Sequence, residues 1–173
     1  MAFEREDKNT HVNSYTFYIR DRGPLPAAND VKVDITIKEH VCFALQELPI
    51  MKSYDLYEDL PEKPTVKVYS LAEIVIEKLA ALTDKARNEP RDLYDLWYLV
   101  TSAGISLDDV RNELDAKLRF RGRKLDGLAD ALTAKRERLE RIWETRLSKQ
   151  VIELPEFEGV FRTVHRAVRA AKL

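Results

Sequence analysis

A lysine set among apolar neighbours is the first residue in this sequence that invites a chemical reading. Plotted at about 100° per residue, Leu71, Ile74, Val75, Leu79 and Leu82 share one side of a helix, and Lys78 falls in the middle of them. Desolvating an ammonium costs roughly several kcal/mol unless an anion accompanies it. Either Lys78 snorkels past its neighbours or pairs with a structural carboxylate, or it is aimed from a rigid helix at a phosphate or an acid in a cleft. The wheel leaves both readings open.

A companion follows closely. In Arg91 to Val100 the apolar stripe is Leu93, Leu96, Trp97 and Val100, with Asp92 at its edge and Asp95 turned further towards solvent. Asp92 is therefore the better candidate for a partly buried carboxylate. An aspartate in a first helical turn also stabilises the helix dipole by about 0.3–1 kcal/mol with no other purpose. The third acid is Asp34, between apolar residues of a strand pattern that disfavours aspartate, where it shares a face with Lys32 and Thr36. A strand carboxylate, a lysine and a second carboxylate on neighbouring helices are the parts phosphoryl transfer requires: metal ligation, neutralisation of the triphosphate, and orientation.

The elements that must position these residues fall into two kinds. Tyr15 to Arg20 is aromatic and β-branched, and Val31 to Ile37 alternates strictly, which predicts an antiparallel hairpin with a long connection through Gly23, Pro24, Pro26, Asn29 and Asp30. Met1 to Thr10 is polar, Val41 to Ile50 has no clean period, and a short strand is expected at Val66 to Tyr69. From Ser70 the pattern becomes helical. Ser70 and Glu73 form a capping box that opens a helix reaching about Arg87. Asn88 and Pro90 open a second helix ending near Gly104, Ser106 caps a third, and two more cover about Leu125 to Leu147 and Pro155 to Ala171. The fold class is α+β, with strands in residues 1–69 and a C-terminal helical bundle in residues 70–173, the two forming one compact unit.

Composition narrows the classes. The sequence has 173 residues, 45% hydrophobic and 34% charged, which suits one globular domain. Basic residues number 29 and acidic 30, so no general attraction to nucleic acid is expected and any basic site must be local. Two local clusters qualify. Arg119, Arg121, Arg123 and Lys124 read either as an RNA phosphate contact or as a solvated loop. The helix face from Lys135 to Arg141 interleaves Arg136, Arg138 and Arg141 with Glu137 and Glu140 and reads as ordinary pairing one turn apart. A single cysteine, Cys42, excludes an intramolecular disulfide, and neither a signal peptide nor an apolar run of membrane-spanning length is present, so the expected location is cytoplasmic. His11, His40 and His165 are scattered, without metal-ligand spacing.

Three strings carry a resemblance. Residues 31–36 (VKVDIT), 69–82 (YSLAEIVIEKLAAL) and 90–99 (PRDLYDLWYL) resemble, in order and spacing, successive signature blocks of the nucleotidyltransferase AbiEii/AbiGii toxin family. The resemblance implies that Asp34 is the third acid of a polymerase-β-like site and a metal ligand. It implies that Lys78 is catalytic and binds nucleotide together with Arg91 and Thr36, and that Asp92 is catalytic, with Asp95 as the other option. It also implies magnesium as cofactor, a nucleoside triphosphate as donor, an RNA (tRNA) or protein acceptor, and a cognate antitoxin as partner. The family opens with a GlySer turn and an acidic, apolar, acidic strand, and this sequence has neither; Glu4 and Glu6 flank Arg5 instead. The implied protein is thus an incomplete nucleotidyltransferase, silent on its own. The alternative is an inactive homologue that binds an antitoxin or nucleic acid.

Overall fold

The computed structural model describes residues 2–7, 14–21, 29–51 and 62–173. The chain divides into two compact units, Met1–His40 and Val41–Leu173. The fold is α+β, as expected.

The first unit is a three-stranded antiparallel sheet, β1 (Ala2–Asp7), β2 (Ser14–Asp21) and β3 (Asn29–Thr36), in the order β1-β2-β3. The expected hairpin is the β2–β3 pair, and its connection lies outside the described residues. Its register sets Tyr15 against Ile35, Phe17 against Val33 and Ile19 against Val31, so apolar residues of both strands share one face. The opposite face pairs Thr16 with Asp34, Tyr18 with Lys32 and Arg20 with Asp30. Strand β1, in the stretch that reads only as a polar start, pairs antiparallel with β2 and has a register shift between Phe3 and Arg5.

The second unit begins with a two-stranded sheet, β4 (Gln46–Pro49) and β5 (Thr65–Val68), and continues in helices. These are α1 (Leu71–Thr83), α2 (Pro90–Thr101), α3 (Arg111–Phe120), α4 (Leu128–Leu147) and α5 (Phe157–Ala170). Helix α1 packs against α2, α3 and α4, and α5 lies on α2 and α4. Because three helices surround it, α1 is buried over more than one stripe: Ile76 and Ala80 are as inaccessible as Val75 and Leu79, whereas Leu71 is 49% exposed.

Several local expectations change for tertiary reasons. Ser70 caps α1 by accepting the Glu73 backbone N–H at 3.2 Å, but the Glu73 carboxylate does not complete a capping box. It turns inward instead, accepting the Cys42 and Phe43 backbone N–H groups at 2.9 Å each and the Lys117 ammonium at 2.5 Å. Helix α1 stops at Thr83 rather than near Arg87, because Lys135 Nζ takes the carbonyls of Asp84 (2.5 Å) and Arg87 (2.8 Å). Ahead of α3 the chain makes a short 3-10 turn, Asp108–Val110, and the cap of α3 is Val110 rather than Ser106. The charged face expected from Lys135 to Arg141 is broken at its first residue, since Lys135 is buried on the stripe of Leu128, Leu132, Leu139, Trp143 and Leu147. Arg136 pairs with Glu158 of α5 at 2.7 Å instead of one turn along its own helix.

Candidate functional site

The expected partnership between Lys78 and Asp92 is present. Leu79 and Leu82 fix one side of α1 in the core, and Leu93, Leu96 and Leu99 fix α2. This packing brings Lys78 Nζ to 3.2 Å from Asp92 Oδ1 and 2.5 Å from Asp95 Oδ2. The two acids differ in setting: the Asp92 side chain is 2% exposed, that of Asp95 32%. Both candidate acids are therefore within reach of the lysine, one from the interior and one from the rim.

Arg87, which sequence reasoning misses, completes the cluster. Its Nε donates to Asp92 Oδ2 at 2.6 Å and its Nη2 to Oδ1 at 3.1 Å, a two-pronged grip on the carboxylate. Burial works against the Asp92 charge, but the Arg87 and then the Lys78 hydrogen bonds outweigh it and hold the carboxyl below its usual range. The Arg87 guanidinium is correspondingly raised, chiefly by its bond to Asp92. Two cations and two carboxylates leave the cluster electrically neutral.

Lys135 fixes Arg87 from behind through the two carbonyls of the α1–α2 loop, and burial lowers the pKa of its ammonium. A wheel of α4 would have found it by the signal that marks Lys78, a lysine in a leucine stripe. Arg87 carries no such signal, since it lies in a loop and its partnership depends on how that loop folds back.

A small cavity of about 290 Å³ opens beside the cluster, lined by Ile74, Tyr94, Asp95, Tyr98 and Leu99. Asp95 is thus shared between the lysine and this cavity. Arg91 lies exposed on α2.

Asp34 belongs to the sheet unit. It accepts the Thr16 hydroxyl at 2.6 Å and pairs with Lys32 at 3.0 Å, with 56% of its side chain exposed. These bonds, that of Thr16 first, keep its carboxyl below the usual range. Thr36 is exposed two residues further along β3.

The basic cluster at residues 119–124 is largely committed to structure. Arg119 pairs with Asp115 at 2.7 Å, Arg121 with Glu77 at 2.9 Å, and Arg123 with Asp84 at 2.7 Å. Lys117, fully buried, joins Glu73 and Glu77 in the same network. Of the four cations that suggest a phosphate contact, three are paired with acids, and Arg121 and Arg123 tie the end of α3 and the loop after it to α1 and its C-terminal end.

The family model for the nucleotidyl transferase AbiEii toxin of type IV toxin–antitoxin systems matches residues 2–169. The chain belongs to the AbiEii family. No curated protein and no solved structure matches it. Membership supports, at family level, a nucleotidyltransferase of the toxin type with a nucleoside triphosphate as substrate and an antitoxin as partner. Nucleotidyltransferases of this kind generally use a divalent metal. In this AbiEii chain, among the described residues, no group of three or more histidine, cysteine, aspartate or glutamate side chains is placed to hold a metal ion. Asp34 is moreover engaged by Thr16 and Lys32. The described residues do not by themselves fit a resident magnesium. Among the described residues, no helix is long and apolar enough to cross a membrane.

Proposed function

We propose that this chain takes part in nucleotidyl transfer from a nucleoside triphosphate to an RNA or protein acceptor, with Lys78 as its contact to the phosphates. In the reaction an acceptor oxygen bonds to the α-phosphorus, the bond from that phosphorus to the bridging oxygen of the β-phosphate breaks, and pyrophosphate leaves. The single observation that carries the reading is the asymmetry around Lys78. Its inner partner, Asp92, is buried and locked by Arg87, whereas its outer partner, Asp95, lies at the edge of an open cavity.

An incoming phosphate competes with Asp95 for the ammonium while Asp92 keeps the lysine in place. Asp92 is then a positioning residue. A charge already aimed before the ligand arrives needs little reorganisation, which is the condition under which electrostatic stabilisation of a transferring phosphoryl group is large. Arg91 and Thr36, both exposed, are assigned to the nucleotide as well. Asp34, kept ionised by Thr16 and Lys32, is assigned to accept the proton of the attacking hydroxyl.

Calorimetric titration with each nucleoside triphosphate tests the central assignment. Lys78→Ala weakens binding by about 10- to 100-fold, the size of a lost charge-assisted hydrogen bond of ~1.5–3 kcal/mol, while Asp34→Asn leaves affinity nearly unchanged. Equal affinity in Lys78→Ala removes the proposal.

A second reading is favoured by the internal neutrality of the Lys78, Arg87, Asp92 and Asp95 cluster, which is what a purely structural ion network would show. On that reading the chain keeps the scaffold as a module that binds an antitoxin or nucleic acid. Nucleotide titrations without heat for any triphosphate would select it.

A further inference from the structure

Helix α5 carries a basic face that the proposed function leaves unused. Its inner side is fixed by Phe157, Val160, Phe161, Val164 and Val168 in the core. Arg162, Arg166 and Arg169 stand outside, spaced four and three residues apart and all exposed. With His165 and Ala170 they line a depression of about 500 Å³, and no carboxylate is among its lining residues.

The contrast with residues 119–124 decides between the two basic clusters. There, three arginines are each held by an acid within 2.9 Å. On α5 the nearby acid is Glu158, which Arg136 (2.7 Å) and Arg162 (3.2 Å) already neutralise, and Arg166 and Arg169 make no ion pair with a described residue. Among the described residues, four guanidinium groups thus face one carboxylate. Arg136 is braced over the Phe161 ring at 5.6 Å, and His165 stacks on the same ring and is bonded to Thr133. These contacts anchor His165, one wall of the depression, while Arg166 and Arg169 stay outside any ion pair with a described residue.

We infer that this face of α5 binds the sugar–phosphate backbone of a nucleic-acid strand, and that it holds the RNA acceptor of the proposed reaction. Arg162 to Arg169 spans about 10 Å at ~1.5 Å per residue. A stacked strand presents about three phosphates over that length, at ~3.4 Å each. Contact through arginines and phosphates gives affinity and placement without reading sequence. The inference rests on the proposed function only for the identity of the strand as acceptor.

Fluorescence anisotropy with a labelled single-stranded RNA of mixed sequence, titrated with the full chain across a series of salt concentrations, tests it. Neutralising three phosphates contributes about 2 to the slope of log affinity against log salt, at ~0.7 per phosphate on a single strand. The triple change Arg162→Ala, Arg166→Ala, Arg169→Ala lowers the slope by that amount and weakens binding at low salt by at least tenfold. The corresponding triple lysine variant keeps most of the slope. A control with Arg138→Ala, Arg141→Ala and Arg146→Ala, on the exposed face of α4, removes the same formal charge and leaves the slope unchanged. All these positions are exposed, and a circular-dichroism melt of each variant confirms its fold. Single-stranded DNA binding with the same slope supports a backbone contact.

An unchanged slope in the α5 triple variant overturns the inference. So does a variant that loses an acidic protein partner while its RNA binding persists, which would assign the face to the antitoxin. Nucleotide titration is a separate readout, so a chain that binds RNA through α5 and no triphosphate would refute the proposed function and leave this surface standing.

Discussion

Arg87 and Lys78 converge on one buried carboxylate, Asp92, at the α1–α2 junction, at 2.6 and 3.1 Å from the arginine and 3.2 Å from the lysine. The acid is therefore more stable ionised in the folded protein than in the unfolded chain, and its pKa is lowered on folding. A lowered carboxyl contributes its full stability above the unfolded value of about 3.9, and that contribution is lost as pH falls through the folded value.

Wild-type protein accordingly loses denaturant resistance steeply below about pH 4. Asp92→Asn is less stable at neutral pH and shows a shallower acid limb. Some slope remains, because Glu77 and Asp84 are also lowered. Urea midpoints collected from pH 7 downwards check this. Parallel acid limbs in the two proteins would mean that Asp92 gains nothing from its partners.

Lys135 supports the loop that presents Arg87. Lys135→Met strands the carbonyl of Arg87, leaves that of Asp84 with the Arg87 amide as its remaining donor, and costs about 1–3 kcal/mol. Native-state hydrogen exchange reads the local consequence: the Arg87 amide, bonded to the Asp84 carbonyl at 3.2 Å, exchanges faster relative to the α5 amides. Uniform acceleration across the protein would show a global loss only.

Lys117, fully buried, and Lys78, only partly buried, separate structure from function. Lys117 is fully enclosed between Glu73 and Glu77, so Lys117→Met leaves Glu73 buried without a cation and costs roughly 3–5 kcal/mol. Lys78→Met leaves Asp92 gripped by Arg87 and Asp95 at the rim; stability is unchanged or rises by about 1 kcal/mol, while Lys78→Ala destabilises by opening a void. Chemical denaturation of the three variants checks the order. A Lys78→Met loss as large as that of Lys117→Met would make its charge structural.

The last expectation concerns transfer itself. Two-metal nucleotidyl transfer needs several carboxylates around the metal pair, and Asp34 is the one acid the family resemblance assigns there. Incubated with magnesium, each radiolabelled triphosphate and total cellular RNA, the 173-residue chain labels nothing detectable. Joining a family GlySer segment with its paired acids to the chain confers labelling, and Asp34→Asn then abolishes it. Strong labelling by the chain alone, lost in Asp34→Asn, would show that other residues of this chain supply the further ligation.

What can be read from the sequence is whatever is periodic and local. Alternation in Val31 to Ile37 reveals the strand that carries Asp34, and the stripe in Leu71 to Leu82 exposes Lys78 as out of place, because a side chain's facing follows from two or four residues of spacing. Position along α2 likewise separates an inner Asp92 from an outer Asp95. Long-range pairing has no such signature. Glu73 looks like half of a capping box and becomes the partner of Lys117, 44 residues away. Lys135 looks like part of a charged face and closes a loop 51 residues earlier. Arg121 and Arg123 look free and are consumed by α1 and the residue after it, while Arg166 and Arg169 look ordinary and make no ion pair with a described residue. Local spacing says which way a side chain points, but only packing brings opposite charges together, and pairing determines whether a cation is spent on the fold or left for a ligand.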